Sequence, residues 1–222
     1  MKKTLLAIIV CGLFLICVSM PVKAQKVAIY SYPVEIELTN DQGDMPTKDY
    51  LKNYGTKGKK RGVEFIYETA TPFLITRLNK AGMVVLAIDT LSPIKANEYG
   101  KPSASLAKAV VSGIAGQYMK VYIKDITQPY VEGLTQTDPN SQQRKLVKIR
   151  CRIQIYDSNK ELLKDAEGVF QSGEKMESAS DLGVDLRKYQ GTEYLQELKI
   201  YETCTKMAII KAVNQLEIKQ NP

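Results

Sequence analysis

The sequence contains no histidine. That removes the side chain most often used as a general base near neutral pH, and with it the commonest ligand for transition metals. Glycine-rich phosphate loops are missing too, since neither a Walker-type run nor a dinucleotide-type G-x-G-x-x-G occurs. No internal repeat, heptad array or low-complexity tract interrupts the chain. Cysteines are few, and two of the four, Cys11 and Cys17, fall in the N-terminal apolar stretch. A hydrolase made from these residues would need a serine–lysine or a paired-carboxylate mechanism. An enzyme is therefore not expected, and neither a cofactor nor a metal is.

What is present begins with an export signal. Lys2 and Lys3 precede an apolar run over residues 5–20, and Val22-Lys23-Ala24 stands ahead of Gln25 with small residues suited to a signal peptidase. The run is shorter than the roughly 20 residues a membrane span needs, and Pro21 follows it at once. Cys11 follows Val10 and Cys17 follows Ile16, where lipidation wants a small residue. Residues 1–24 are therefore expected to be a cleaved signal peptide. Residues 25–222 are expected to form one domain in the periplasm or secreted, not an integral membrane protein and not lipidated.

Removing the signal takes away three lysines and no acid, which leaves 28 basic against 24 acidic groups and a formal charge of +4. So mild a balance gives no argument for nucleic acid as a partner. The remaining cysteines, Cys151 and Cys204, could form one disulfide in an oxidising compartment. Alternatively they are two buried thiols, since each lies among core-type residues and free cysteine is among the most buried residue types.

Hydrophobic periodicity orders the rest. Residues 26–38 (KVAIYSYPVEIEL) read as a strand, and Pro33 should break it into two pieces or place it at an edge. Residues 40–62 read as a long polar loop. Residues 63–81 follow as an amphipathic helix, with Pro72 implying a kink or an interrupted start and Gly82 a C-cap. The run MVVLAI over residues 83–88 suggests a strand buried on both faces and so a βαβ unit. Ser103 is placed to cap a helix over residues 104–116, and residues 118–126 alternate Met119, Val121 and Ile123 with Lys120, Tyr122 and Lys124. Residues 145–156 alternate cleanly, Asp157 to Lys160 supply turn chemistry, and residues 161–171 return as the second strand of an antiparallel hairpin. Residues 192–218 close the chain as a long helix. The expected fold is α/β: a mixed sheet with an antiparallel hairpin and helices packed against it.

Ser105 and Lys108 give a Ser-x-x-Lys spacing near a helix start, but the companion motifs Ser-Asp-Asn and Lys-Thr-Gly are missing, so an N-cap serine and a surface lysine are expected. Glu35 with Glu37 reads as the wet side of a strand, and Asp181 with Asp185 as a solvated loop without calcium-loop spacing. The densest charge lies in residues 52–61 (KNYGTKGKKR), where Lys52, Lys57, Lys59, Lys60 and Arg61 surround Tyr54. That run is either a solvated loop or a site for an anionic glycan, lipid or acidic protein surface.

Three stretches carry a family resemblance: Val27-Ala28-Ile29-Tyr30, residues 74–85 (LITRLNKAGMVV) and residues 152–162 (RIQIYDSNKEL). They resemble, in that order, the opening strand, the helix leading into the second strand, and the hairpin of a periplasmic α/β domain. That domain is shared by the curli secretion lipoprotein, the N-terminal domain of the Tol translocation protein and the lipoprotein activators of penicillin-binding proteins. The closing helix, with Ala208, Ala212 and Leu216, is similar as well. The chain departs from the family in lacking an acylated cysteine, in its basic run over residues 52–61, and in having no membrane-spanning hairpin of the curli-pore kind. The resemblance implies a non-enzymatic role in the envelope, binding another protein or assembling into a larger complex such as an oligomer, and the expected protein binds its partner through an exposed strand edge or loops. The resemblance carries no functional residue over. The competing expectations are a binder of anionic glycan or lipid through residues 52–61 and, behind it, an exported hydrolase.

Overall fold

The computed structural model describes residues 25–35, 56–86, 95–127, 147–174, 182–185, 187, 190 and 193–218, with backbone alone for residues 25, 56–61, 193–197, 217 and 218. The expected signal peptide lies outside the described residues, as do Lys52 and Tyr54.

Pro33 divides the first strand as expected. β1 (Gln25–Ser31) stops before it, and β2 (Val34–Glu35) resumes beyond it. Both lie parallel to β4 (Gln117–Asp125), and Ile123 N donates to the Pro33 carbonyl across the break. On its other side β1 pairs in parallel with β3 (Met83–Val85). β5 (Lys148–Asp157) runs antiparallel to β4, and β6 (Leu162–Gln171) antiparallel to β5. The order is β3-β1-β4-β5-β6, a mixed six-stranded sheet. The β5–β6 turn is closed by the Asp157 side chain, whose Oδ1 accepts from Asn159 N and Glu161 N at 2.8 Å each.

The crossovers decide which face each helix covers. From β1 the chain passes through α1 (Thr56–Lys80) to β3 on one side, then through α2 (Leu106–Ser112) back across to β4 on the other. Right-handed connections made in opposite directions put their helices on opposite faces. Accordingly Val27 and Ile29 of β1 pack with Ile66, Leu74 and Leu78 of α1, while Ala28 and Tyr30 pack with Ala109 of α2. α3 (Glu193–Ile218) joins α1 on the larger core, laying Cys204, Ala208, Val213 and Leu216 over β5 and β6. Gly168 of β6 sits where this helix comes closest. A Cβ there would stand 2.1 Å from the Ala208 carbonyl oxygen.

Several boundaries differ from the sequence pattern. α1 starts at Thr56, not near residue 63, and so takes in Lys57, Lys59, Lys60 and Arg61, which favour helix, together with Gly58 and Gly62, which do not. Pro72 does not interrupt α1, which continues unbroken to Lys80. β3 is an edge strand, not one buried on both faces, and leaves Val84 42% exposed. α2 is shorter than expected. Ser105, not Ser103, caps it by accepting from Lys108 N, and Gly113 ends it in the left-handed conformation at φ 63°.

Among the described residues no helix is long and apolar enough to cross a membrane.

Candidate functional site

One patterned surface is the face of β4, β5 and β6 turned away from α1 and α3. Strand alternation fixes its membership, because Val121, Ile123, Ile149, Cys151, Ile153, Ala166 and Phe170 point into the core and their neighbours must point out. Cross-strand register then sets the rows. Lys124 lies opposite Arg150 and then Val169; Tyr122 opposite Arg152 and then Glu167; Lys120 opposite Gln154 and then Asp165. Among the described residues α2 is the one helix on this side, and its contacts end at Tyr30, Tyr118 and Tyr156. Among the described residues the Arg150 and Arg152 side chains are 40% and 46% exposed and Lys120, Lys124 and Lys148 are half-buried.

Not every cation here is equally committed. Arg152 makes a two-pronged contact with Asp165, Nε to Oδ1 at 2.9 Å and one terminal nitrogen to Oδ2 at 2.6 Å. Exposed pairs of this kind add about 0–1 kcal/mol to stability, so their main effect is to fix side-chain direction. Arg150 Nε lies 3.4 Å from Glu167 but is not aligned to donate a hydrogen bond to it. At the other border Tyr122 donates to Glu35 Oε2 at 2.6 Å, which also gives Glu35 its place on the wet side of β2.

Both edges of the sheet carry helix side chains. On β6, Gln215 of α3 reproduces a strand partner: Glu167 N donates to Gln215 Oε1 at 3.2 Å, and Gln215 Nε2 donates to the Glu167 carbonyl at 2.7 Å. Lys211 donates to the Val169 carbonyl at 2.9 Å, and Gln171 N donates to Glu174 Oε1 at 2.8 Å. The Lys211 ammonium, 2.6 Å from Glu174, holds that carboxyl below its ordinary range. On β3 the outward Val85 N reaches Asn79 Oδ1 of α1 at 3.5 Å. Backbone groups that a guest strand would need are thus partly occupied.

The other sequence candidates fall elsewhere. Lys57, Lys59, Lys60 and Arg61 belong to the opening turns of α1, not to a loop. The Ser105 hydroxyl accepts from Lys108 N at 3.4 Å, as the cap of α2. Asp185 holds the Arg187 guanidinium at 3.1 Å, while Asp181 and Glu37 lie outside the described residues. Cys151 and Cys204 are free thiols, both buried, and burial pushes each up to about 12. Among the described residues no cluster of histidine, cysteine, aspartate or glutamate could hold a metal ion.

Two internal polar arrangements shape the ends of the core. Lys206 and Glu202 form an ion pair of 2.6 Å on α3 with side chains only 7% and 8% exposed, and the same ammonium donates to the Gly183 carbonyl at 3.2 Å. Beside β2, Tyr67 donates to the Tyr32 carbonyl at 2.6 Å and accepts from Asn97 Nδ2 at 3.2 Å. Asn97 Oδ1 accepts from Tyr99 N and Lys101 N, each at 2.9 Å, so one side chain folds the turn that seats Tyr99 against Tyr67. These groups have structural partners within the fold.

No protein-family model matches the chain, and no curated protein matches it either.

Proposed function

We propose that this is an exported, non-enzymatic envelope protein that serves as a protein-interaction or assembly module in the periplasm. The observation that carries this reading is the outward face of β4, β5 and β6. Its arginine, lysine and tyrosine side chains project from the sheet in fixed register, with Arg150 and Arg152 40% and 46% exposed, and arginine and tyrosine are residue types favoured at protein interfaces. The resemblance to periplasmic α/β envelope domains points the same way. The partly occupied strand edges shift the expected contact from the edge to this face. The test is a crosslinked pull-down of the tagged protein from its native envelope fraction at low and high salt. A defined protein partner retained in both supports the module reading. Recovery of phosphate-rich lipid or glycan alone, released by salt, overturns it.

A second reading is favoured by the position of the basic run. With α1 starting at Thr56 and no acid in its first turn, Lys57, Lys59, Lys60 and Arg61 add their charge to the positive end of the helix. An anionic glycan or lipid headgroup would be attracted there. Replacing Lys57, Lys59 and Lys60 by glutamate should then abolish sedimentation with vesicles of phosphatidylglycerol and phosphatidylcholine. Unchanged sedimentation would remove this reading.

A further inference from the structure

We infer that the outward sheet face is a track for one extended acidic polypeptide segment with carboxylates at alternate positions. This rests on the interaction-module reading and names its partner's chemistry.

Charge on the face is ordered by strand. The two central strands carry cations, Lys120 and Lys124 on β4 and Lys148, Arg150 and Arg152 on β5. The flanking strands carry acids: Glu35 on β2, then Asp165 and Glu167 on β6. From β2 to β6 is three strand spacings, about 14 Å. A broad acidic surface laid across this width would meet the flanking carboxylates and be repelled. A single chain lying along the strands would meet chiefly the cationic middle, where the Arg152 and Arg150 guanidiniums already lie 2.6 and 3.4 Å from Asp165 and Glu167.

Spacing selects the kind of chain. Lys148, Arg150 and Arg152 are successive outward residues of one strand and therefore recur about every 7 Å. Lys120 and Lys124 stand at twice that interval on the neighbouring strand. An extended polypeptide with an acid at every second residue has the same repeat, so its carboxylates stay in step with the cations over the whole track. Arg150, whose side chain is 40% exposed although its Nε is buried and makes no hydrogen bond to Glu167, can offer its outer guanidinium nitrogens to an incoming carboxylate, whereas Arg152 remains forked on Asp165 as a fixed border. Tyr122, tied to Glu35, marks the opposite border.

The test uses two fluorescein-labelled ten-residue peptides of equal charge, one alternating glutamate and serine and one with five glutamates followed by five serines, together with polygalacturonate as a carbohydrate polyanion. Fluorescence anisotropy with the whole protein at low salt should give at least about fivefold tighter binding of the alternating peptide. The double variant Lys120→Glu, Lys124→Glu should lose that binding about tenfold or more, and the milder Lys120→Gln, Lys124→Gln pair several-fold, with urea midpoints reporting that both fold. Lys57→Glu, Lys59→Glu, Lys60→Glu should leave it unchanged. Equal binding of the two peptides, indifference to the β4 substitutions, or competition by polygalacturonate at lower charge concentration than the peptide would each overturn the proposal. If the β4 variant still captured the envelope partner, the track would fall while the module reading stood. Peptide binding at the track with no partner captured would reverse that outcome.

Discussion

Gly168→Ala is the smallest change that tests how α3 is seated on the sheet. The added Cβ would lie 2.1 Å from the Ala208 carbonyl oxygen, 2.5 Å from Ala212 N and 2.9 Å from Lys211 Cβ. Two of these are helix backbone atoms, so no side-chain rotation relieves the clash. Non-bonded contacts of this kind settle near 3.5 Å, and α3 must therefore retreat by more than about 1 Å. Overpacking alone costs about 1–3 kcal/mol. The retreat also draws Gln215 from both backbone groups of Glu167 and Lys211 from the Val169 carbonyl, three hydrogen bonds worth about 1 kcal/mol each. Part of that loss overlaps with the strain, which puts the expected destabilisation at about 3–5 kcal/mol. Urea unfolding followed by far-UV circular dichroism measures it directly. Gly116→Ala is the control: its Cβ would meet nothing within 4 Å and its φ is not positive, so a change within about 0.5 kcal/mol is expected. If Gly168→Ala shifted the midpoint no more than Gly116→Ala, the close seating of α3 on β6 would be refuted.

Alkali should destabilise the protein. Burial raises Cys151 and Cys204 from 9.0 to about 12, and burial followed by Tyr156 raises Tyr30 to about 12. The unfolded chain releases these protons first, so stability is fully present below about pH 9 and falls as pH rises toward 12. Urea midpoints at pH 7, 9 and 10.5 check the sign, and a midpoint that stays level to pH 10.5 contradicts it. At the buried ion pair, Lys206→Met takes the ammonium away from Glu202 and should cost about 3–5 kcal/mol. The double variant Glu202→Leu, Lys206→Met should recover most of that loss, and a double variant as unstable as the single one would show that the pair is not the cause.

The parts of the fold legible in the sequence are those in which one local pattern decides. The alternation of Ile149, Cys151, Ile153 and Ile155 with Lys148, Arg150, Arg152 and Gln154 specifies β5 and its two faces, because the side-chain period of a strand is two. Pro33 specifies a break for a reason equally local, its missing N–H and fixed φ. Where the pattern misleads, tertiary position decides instead. MVVLAI has the composition of an interior strand, yet β3 ends the sheet, and strand order is not a property of six residues. The outward cations of β4 and β5 are each readable as a wet face, but a basic band two strands wide exists only because β4 pairs with β5 across a long separation in sequence. The charge run over residues 52–61 is conspicuous in sequence because its lysines are adjacent along the chain. The sheet-face cations are adjacent only in space.

That contrast bears on how such a domain can recognise a partner. A mixed sheet has two edges, and each offers backbone groups to any extended chain regardless of its sequence. Here the helices reach over both: Asn79 of α1 at β3, and Gln215 and Lys211 of α3 at β6. Gln215 matters most, since a primary amide presents one donor and one acceptor in nearly the spacing of a peptide unit and so occupies both outward groups of Glu167. Guarded edges suppress indiscriminate pairing and leave recognition to side chains. The side chains offered are those of β4, β5 and β6, whose positions the backbone register fixes to within a pleat. On the proposed reading, selectivity comes from charge order, cations in the centre and acids at the borders. The same α3 that closes the β6 edge also clamps the back of that sheet through Gly168, so the outward face of the sheet and the closure of its edge depend on one helix staying in place.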